Sequence, residues 1–181
     1  MLTSLDGAAV RRWAATCCDE LAAHRDEIDG LNVFPVPDQD TGSNLLATMR
    51  AGLDAVLAVE QDPPVDPPVG TAGTAVGIAA ADTAADTAAA LARGALMGAR
   101  GNSGVIVSQV LRGLAESLAE TAELGGAALR EGLRRAAELA TAAVSEPTPG
   151  TVLTVLQAAA QAAATVRSDD LCEVASAAAA A

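Results

Sequence analysis

An all-α fold, an antiparallel helical bundle or barrel, is predicted by three observations. Apolar residues recur at three- and four-residue steps in at least six segments, and no segment sustains period-two alternation. Alanine, the residue with the highest intrinsic helix propensity, also dominates the apolar composition. Packing short side chains favours closely spaced helices around a shared core.

The first helix is predicted to start after Asp6 as its cap and to run to roughly Asp29, with Val10, Trp13, Cys17, Leu21 and Ile28 inward. Pro35 and Pro37 bias the residues before them away from helix, so Leu31 to Asp40 reads as an ordered loop. A second helix starts near Thr41 with Leu45, Met49, Leu53 and Val56 on one face. The stretch EQDPPVDPPVG ends it as an extended connection. A third helix spans Thr74 to Met97, with Asp82 and Asp86 on its wet face. GARGNSG breaks the pattern, and a fourth helix follows from Val105, capped by Asn102 or Ser103. Further helices are expected over Ala127–Val144, over Thr151–Val166 and after Ser168. The terminal ASAAAAA has no stop signal, so residues 1–181 read as one domain cut before its last helix.

The 181 residues suit a single domain with a real core. Hydrophobic residues make up 51% of the chain but aromatic ones only 1%, so Leu, Val and Ala must fill that core. The formal net charge of -12 argues against nucleic acid as partner, because phosphate-backbone binding needs clustered cations. All 11 basic residues are arginine, which excludes a lysine-dependent P-loop. Cys17, Cys18 and Cys172 form neither a disulfide framework nor a zinc pattern. No apolar stretch is long enough for a membrane span or a signal peptide, so a reducing cytoplasmic setting is the default expectation.

Three segments carry candidate chemistry. In PDQDTGSN, Asp38 and Asp40 stand one residue apart before a helix start. A double cap explains one aspartate. Two carboxylates that close repel unless a cation lies between them, and a hard divalent ion such as Mg2+ takes oxygen ligands of this kind. An EF-hand loop from Asp38 fails because Met49 stands where its last glutamate belongs. A D-x-D-T phosphatase nucleophile needs an apolar strand before it, and FPVP is a poor one.

In GALMGARGNSGV, glycines at Gly94, Gly98, Gly101 and Gly104 allow close backbone approach, and the helix start after them can hold phosphate or simply turn a helical hairpin. Arg100 is the cation there, suited to a phosphate oxygen or to a surface ion pair. EPTPGTVLTV supplies a third helix start at Thr151, as hydroxyl donor or cap. The sole histidine, His24, has no catalytic partners in sequence, and Trp13 reads as core.

Taken together, LNVFPVPDQDTGSN, GALMGARGNSGVIVSQ and EPTPGTVLTV, in that order, resemble the nucleotide-binding domain shared by dihydroxyacetone kinase L subunits and the fatty acid kinase A subunit, the DhaL-type or DAK2 domain. The similarity covers nearly the whole chain and is greatest toward the N-terminal domain of the fatty acid kinase branch. It implies an antiparallel barrel of about eight helices that binds ATP or ADP with two Mg2+ ions at one rim. Asp38 and Asp40 match the metal-binding and catalytic aspartates. Thr41, Gly42 and Asn44 match the turn against the phosphates, Asn102, Ser103 and Gly104 the phosphate loop, and Thr151 the helix start near the nucleotide, with Arg100 inside the matching motif.

Gln39 stands where that branch commonly has glycine, and Asn32 is the nearest counterpart of a third acidic ligand seen in dihydroxyacetone kinases. The implied activity is γ-phosphoryl transfer to a fatty acid presented by a separate fatty-acid-binding protein, or to a dihydroxyacetone-like acceptor. The alternative is a non-catalytic nucleotide-binding or regulatory module. Self-association into a homodimer stays open.

Overall fold

The computed structural model describes residues 5–31, 38–61, 83–119, 124–147 and 149–181. Among these, seven helices follow one another: α1 (Gly7–Leu31), α2 (Thr41–Gln61), α3 (Ala84–Met97), α4 (Gly101–Ala119), α5 (Gly126–Ala143), α6 (Val152–Thr165) and α7 (Leu171–Ala179). The β-type pairing among the described residues is a single bridge between Leu5 and Leu124. The all-α expectation therefore holds. Each helix packs on its neighbour in sequence, and α1 on α3, α2 on α4 and α5 on α7 complete an antiparallel bundle.

The main core joins α1 to α4 through Ala14, Cys18, Leu46, Met49, Val56, Leu91, Ala95 and Leu111. Burying one such leucine contributes about 1.5–3 kcal/mol, whereas the many alanines contribute mainly by letting helices approach. At the α4–α5 crossing, a methyl group on Gly113 would strike the backbone of Ala136, and one on Gly132 would press on Leu114 and Ser117. Charged residues clasp the outside of this crossing: Glu116 accepts from Arg112 at 2.8 Å and from Arg135 at 2.7 Å.

Several elements differ from the sequence-based reading. On α1 the buried residues are Val10, as expected, with Ala14 and Cys18; Cys17 and Leu21 pack against the core only partly buried, and Trp13 is 43% exposed rather than core. On α2 the buried set is Leu46, Met49 and Val56 with Thr48, while Leu45 and Leu53 are half-buried. A broad apolar alanine background blurs the helical phase, so neighbouring tertiary surfaces decide which positions face in. The predicted third helix began at Thr74; its first part lies outside the described residues, and α3 is seen from Ala84, with Thr83 capping the Asp86 amide at 3.0 Å. Helix α4 begins at Gly101, so Asn102 and Ser103 belong to its first turn and are not its caps.

Candidate functional site at one end of the bundle

Antiparallel order places the starts of α2, α4 and α6 at the same end. Helices α2 and α4 meet there directly. The amide of Arg100 donates to Thr48 Oγ1 at 3.2 Å, and a side chain on Gly104 would overlap that same hydroxyl. The Asn44 carboxamide fills the space that a side chain on Gly101 would need. Gly101 also has φ +58, a left-handed conformation that glycine adopts without strain. At the start of α6, Leu153 packs with Ile106 of α4 and Ala140 of α5, which brings Thr151 to the end that carries Asn102 and Ser103. Val10, Ala84, Ala88 and Leu118 mark the opposite end.

The three helix starts are not equivalent. On α2, the amides of Gly42 and Ser43 both donate to the carboxylate of Asp29 in the last turn of α1, the Ser43 amide at 3.0 Å, and the Ser43 hydroxyl donates at 2.7 Å. The Ser43 hydroxyl is the chief reason that the Asp29 carboxyl is held below the usual carboxylate range. The Asn44 amide donates to the Asp40 carbonyl at 2.8 Å. Gly42 is buried against α1, where a methyl group would come within 2.5 Å of the Arg25 carbonyl oxygen. Gly42 thus lets α1 and α2 approach closely at this end.

The first turns of α2, α4 and α6 all lack an acidic residue of their own, so Asp29 of α1 sets α2 apart, and Thr151 makes no side-chain cap hydrogen bond to α6. Gly104 and Thr154 are the first residues of these helices whose amides find backbone acceptors, Arg100 and Thr151 respectively. That leaves the amides of Asn102, Ser103, Val152 and Leu153 as donors without an intrahelical acceptor. Such donors, at the positive end of a helix, suit an anion.

Asp38 is exposed and Asp40 half-buried, and Thr41 opens α2 immediately after them. Gln39 between them has φ 53. A left-handed residue makes Asp38–Asp40 a turn, and FPVP, where the strand of a D-x-D-T nucleophile would lie, is outside the described residues. Arg100 is exposed beside this turn's neighbour, the α4 start.

Residues 35–181 match the DAK2 domain. The chain belongs to the DAK2 domain family. An uncharacterized protein of Staphylococcus saprophyticus is 34% identical over 163 residues, covering 90% of this chain. One of Staphylococcus aureus shows the same 34% identity over 163 residues. The chain spans 26% of the length of these relatives. As a DAK2 domain, it is a member of a nucleotide-binding kinase family. No helix among the described residues is long and apolar enough to cross a membrane.

The donor set of this DAK2 domain bears on the expected Mg2+. Among the described residues, no group of three or more His, Cys, Asp or Glu converges. Asp29 is engaged with Ser43, and Asn32 lies outside the described residues. A cation at Asp38 and Asp40 would thus have few protein ligands and take the rest from phosphate and water. Mg2+ fits that arrangement, since it keeps waters and commonly uses one or two carboxylates with substrate phosphates.

Sequence reasoning missed two residues of this end. Asp29 was read only as the close of a helix, and Thr48 was passed over within the α2 stripe, although it is fully buried. A hydroxyl four residues after Asn44, among buried apolar neighbours, was the available signal for Thr48. A carboxylate near a loop gives no comparable signal.

Proposed function

We propose that this DAK2 domain binds ATP with two Mg2+ ions and positions the γ-phosphoryl group for transfer. The acceptor we infer is a fatty acid presented by a separate fatty-acid-binding protein, giving an acyl phosphate, ahead of a dihydroxyacetone-like acceptor. The reading is supported by one observation above all: an acidic pair immediately before α2 stands at the end where α4 and α6 offer amide donors without an acidic residue in their first turns.

Asp38 and Asp40 would hold the metal, while the first-turn amides at Asn102 and Ser103, and those after Thr151, would receive phosphate oxygens. Asn44 and Thr48 set the α2–α4 distance, and Thr41 closes the turn beside the carboxylates. Arg100 supplies a cation in a chain with a net charge of -12. Bound Mg2+ supplies neutralisation of the phosphate charge, which this acidic chain cannot provide with side chains alone. Phosphoryl transfer asks mainly for positioning and charge stabilisation, so neither aspartate needs to act as a base.

Calorimetric titration of ADP and ATP, with and without Mg2+, tests this reading. Mg2+-dependent binding is expected in the native chain and lost when Asp38→Asn and Asp40→Asn are combined. Unchanged binding in that variant would overturn the assignment.

A further inference from the structure

We infer that Asp29 is a positioning residue for the acidic pair, clasping the segment that carries it and keeping phosphate away from the start of α2. This rests on the Mg2+-nucleotide reading above. The clasp spans 14 residues: the Asp29 carboxylate, in the last turn of α1, accepts from the Ser43 amide at 3.0 Å and from its hydroxyl at 2.7 Å. Asp38 and Asp40 lie between the two clasped points. Gly42 lets the backbones close there, because its missing side chain is replaced by the Arg25 carbonyl and by Ile28 and Asp29 themselves.

The chemistry follows from what a helix start attracts. Unpartnered amides at the positive end of a helix bind phosphate or carboxylate alike. At α2 the carboxylate of Asp29 already takes the Gly42 and Ser43 amides, so a nucleotide phosphate finds its donors at α4 and α6 instead. The α2 end is left to present carboxylates, and therefore to face a cation. One side chain thereby separates the metal side of the site from the phosphate side.

The test uses the full chain with Mn2+ and ADP, reading bound Mn2+ by electron paramagnetic resonance and the Gly42 and Ser43 amides by hydrogen exchange. Asp29→Ala should weaken Mn2+ binding in the presence of ADP by roughly 10–100-fold, the usual range for an outer-shell partner of a metal ligand. Faster exchange at both amides should accompany this, with the helical circular dichroism unchanged. Asp29→Asn keeps an oxygen facing the Ser43 amide and should recover most of the affinity. Should Asp29→Ala fail to fold, Ser43→Ala, which removes only the hydroxyl donor, must still weaken Mn2+ binding. Native affinity in whichever of these two variants folds overturns the inference and leaves the nucleotide reading standing. Absence of Mn2+ binding in the native chain with ADP overturns both.

Discussion

The hydroxyl of Thr48 occupies the space that a side chain on Gly104 would fill, and it accepts the Arg100 amide from the turn before α4. One buried hydroxyl on α2 thus fixes where the first turn of α4 begins, and with it the spacing between the acidic pair and the phosphate-facing amides. Thr48→Val keeps the shape but removes the acceptor. Leaving that amide unsatisfied should cost about 1–3 kcal/mol of stability in urea unfolding. Calorimetry should also show weaker nucleotide binding with the Mg2+ requirement intact, since no carboxylate is touched.

Gln39 holds φ 53 between the two aspartates, where a side chain is disfavoured by about 1–2 kcal/mol. Gln39→Gly relieves this and loses about 0.5–1 kcal/mol to greater freedom of the unfolded chain. The expected net result is a small gain in stability, read from the denaturant midpoint. A clear loss would mean that the glutamine side chain makes compensating contacts in the folded protein.

Acid should loosen the α4–α5 clasp. The Glu116 carboxyl is held below its ordinary value, first by its hydrogen bond from Arg135 and then by Arg112. A carboxyl with a folded pKa below its unfolded one stabilises fully above the unfolded value, roughly pH 4.3, and loses that contribution as pH falls through the folded value. Asp29 has the same sign. The urea midpoint should therefore drop on acidification below roughly pH 4.5, and Glu116→Gln should flatten part of that slope. An identical slope in the variant would remove Glu116 from the account.

Thiol labelling should separate the three cysteines. Cys17 is pushed up to about 11, chiefly by burial and further by Cys18, and Cys18 is itself raised, chiefly by burial. Cys172 lies exposed on α7. Because the thiolate is the reactive form, an aromatic disulfide reagent at neutral pH should modify one thiol quickly in the folded chain. Cys172→Ser should abolish that fast phase, and the other two should react only on unfolding. Rapid reaction of all three would contradict the packing of α1 against α2.

Much of the fold could be read from residues alone, because the signals involved are local. The starts of α5 and α6 fall within one residue of the sequence-based bounds, since Gly125–Gly126 and Pro149–Gly150 punctuate the chain there. The start of α4 was misplaced by four residues for a related reason. Asn102 and Ser103 are common caps, but Gly101 turns left-handed and lets the helix begin before them. Apolar spacing puts Trp13 inward, yet the surface that α2 and α3 present to α1 selects Ala14 and Cys18.

What the sequence by itself determined is the helical class, the absence of lysine chemistry, and three helix starts whose residue types suit metal and phosphate. These follow from propensity, composition and spacing, which need no knowledge of neighbours. Only the tertiary structure decided that the three starts share one end, and that Asp29 reaches across from α1 to occupy the amides of Gly42 and Ser43. Such a contact depends on how closely two backbones approach, and that distance is set by side chains that are missing, at Gly42, Gly101 and Gly104, as much as by those present.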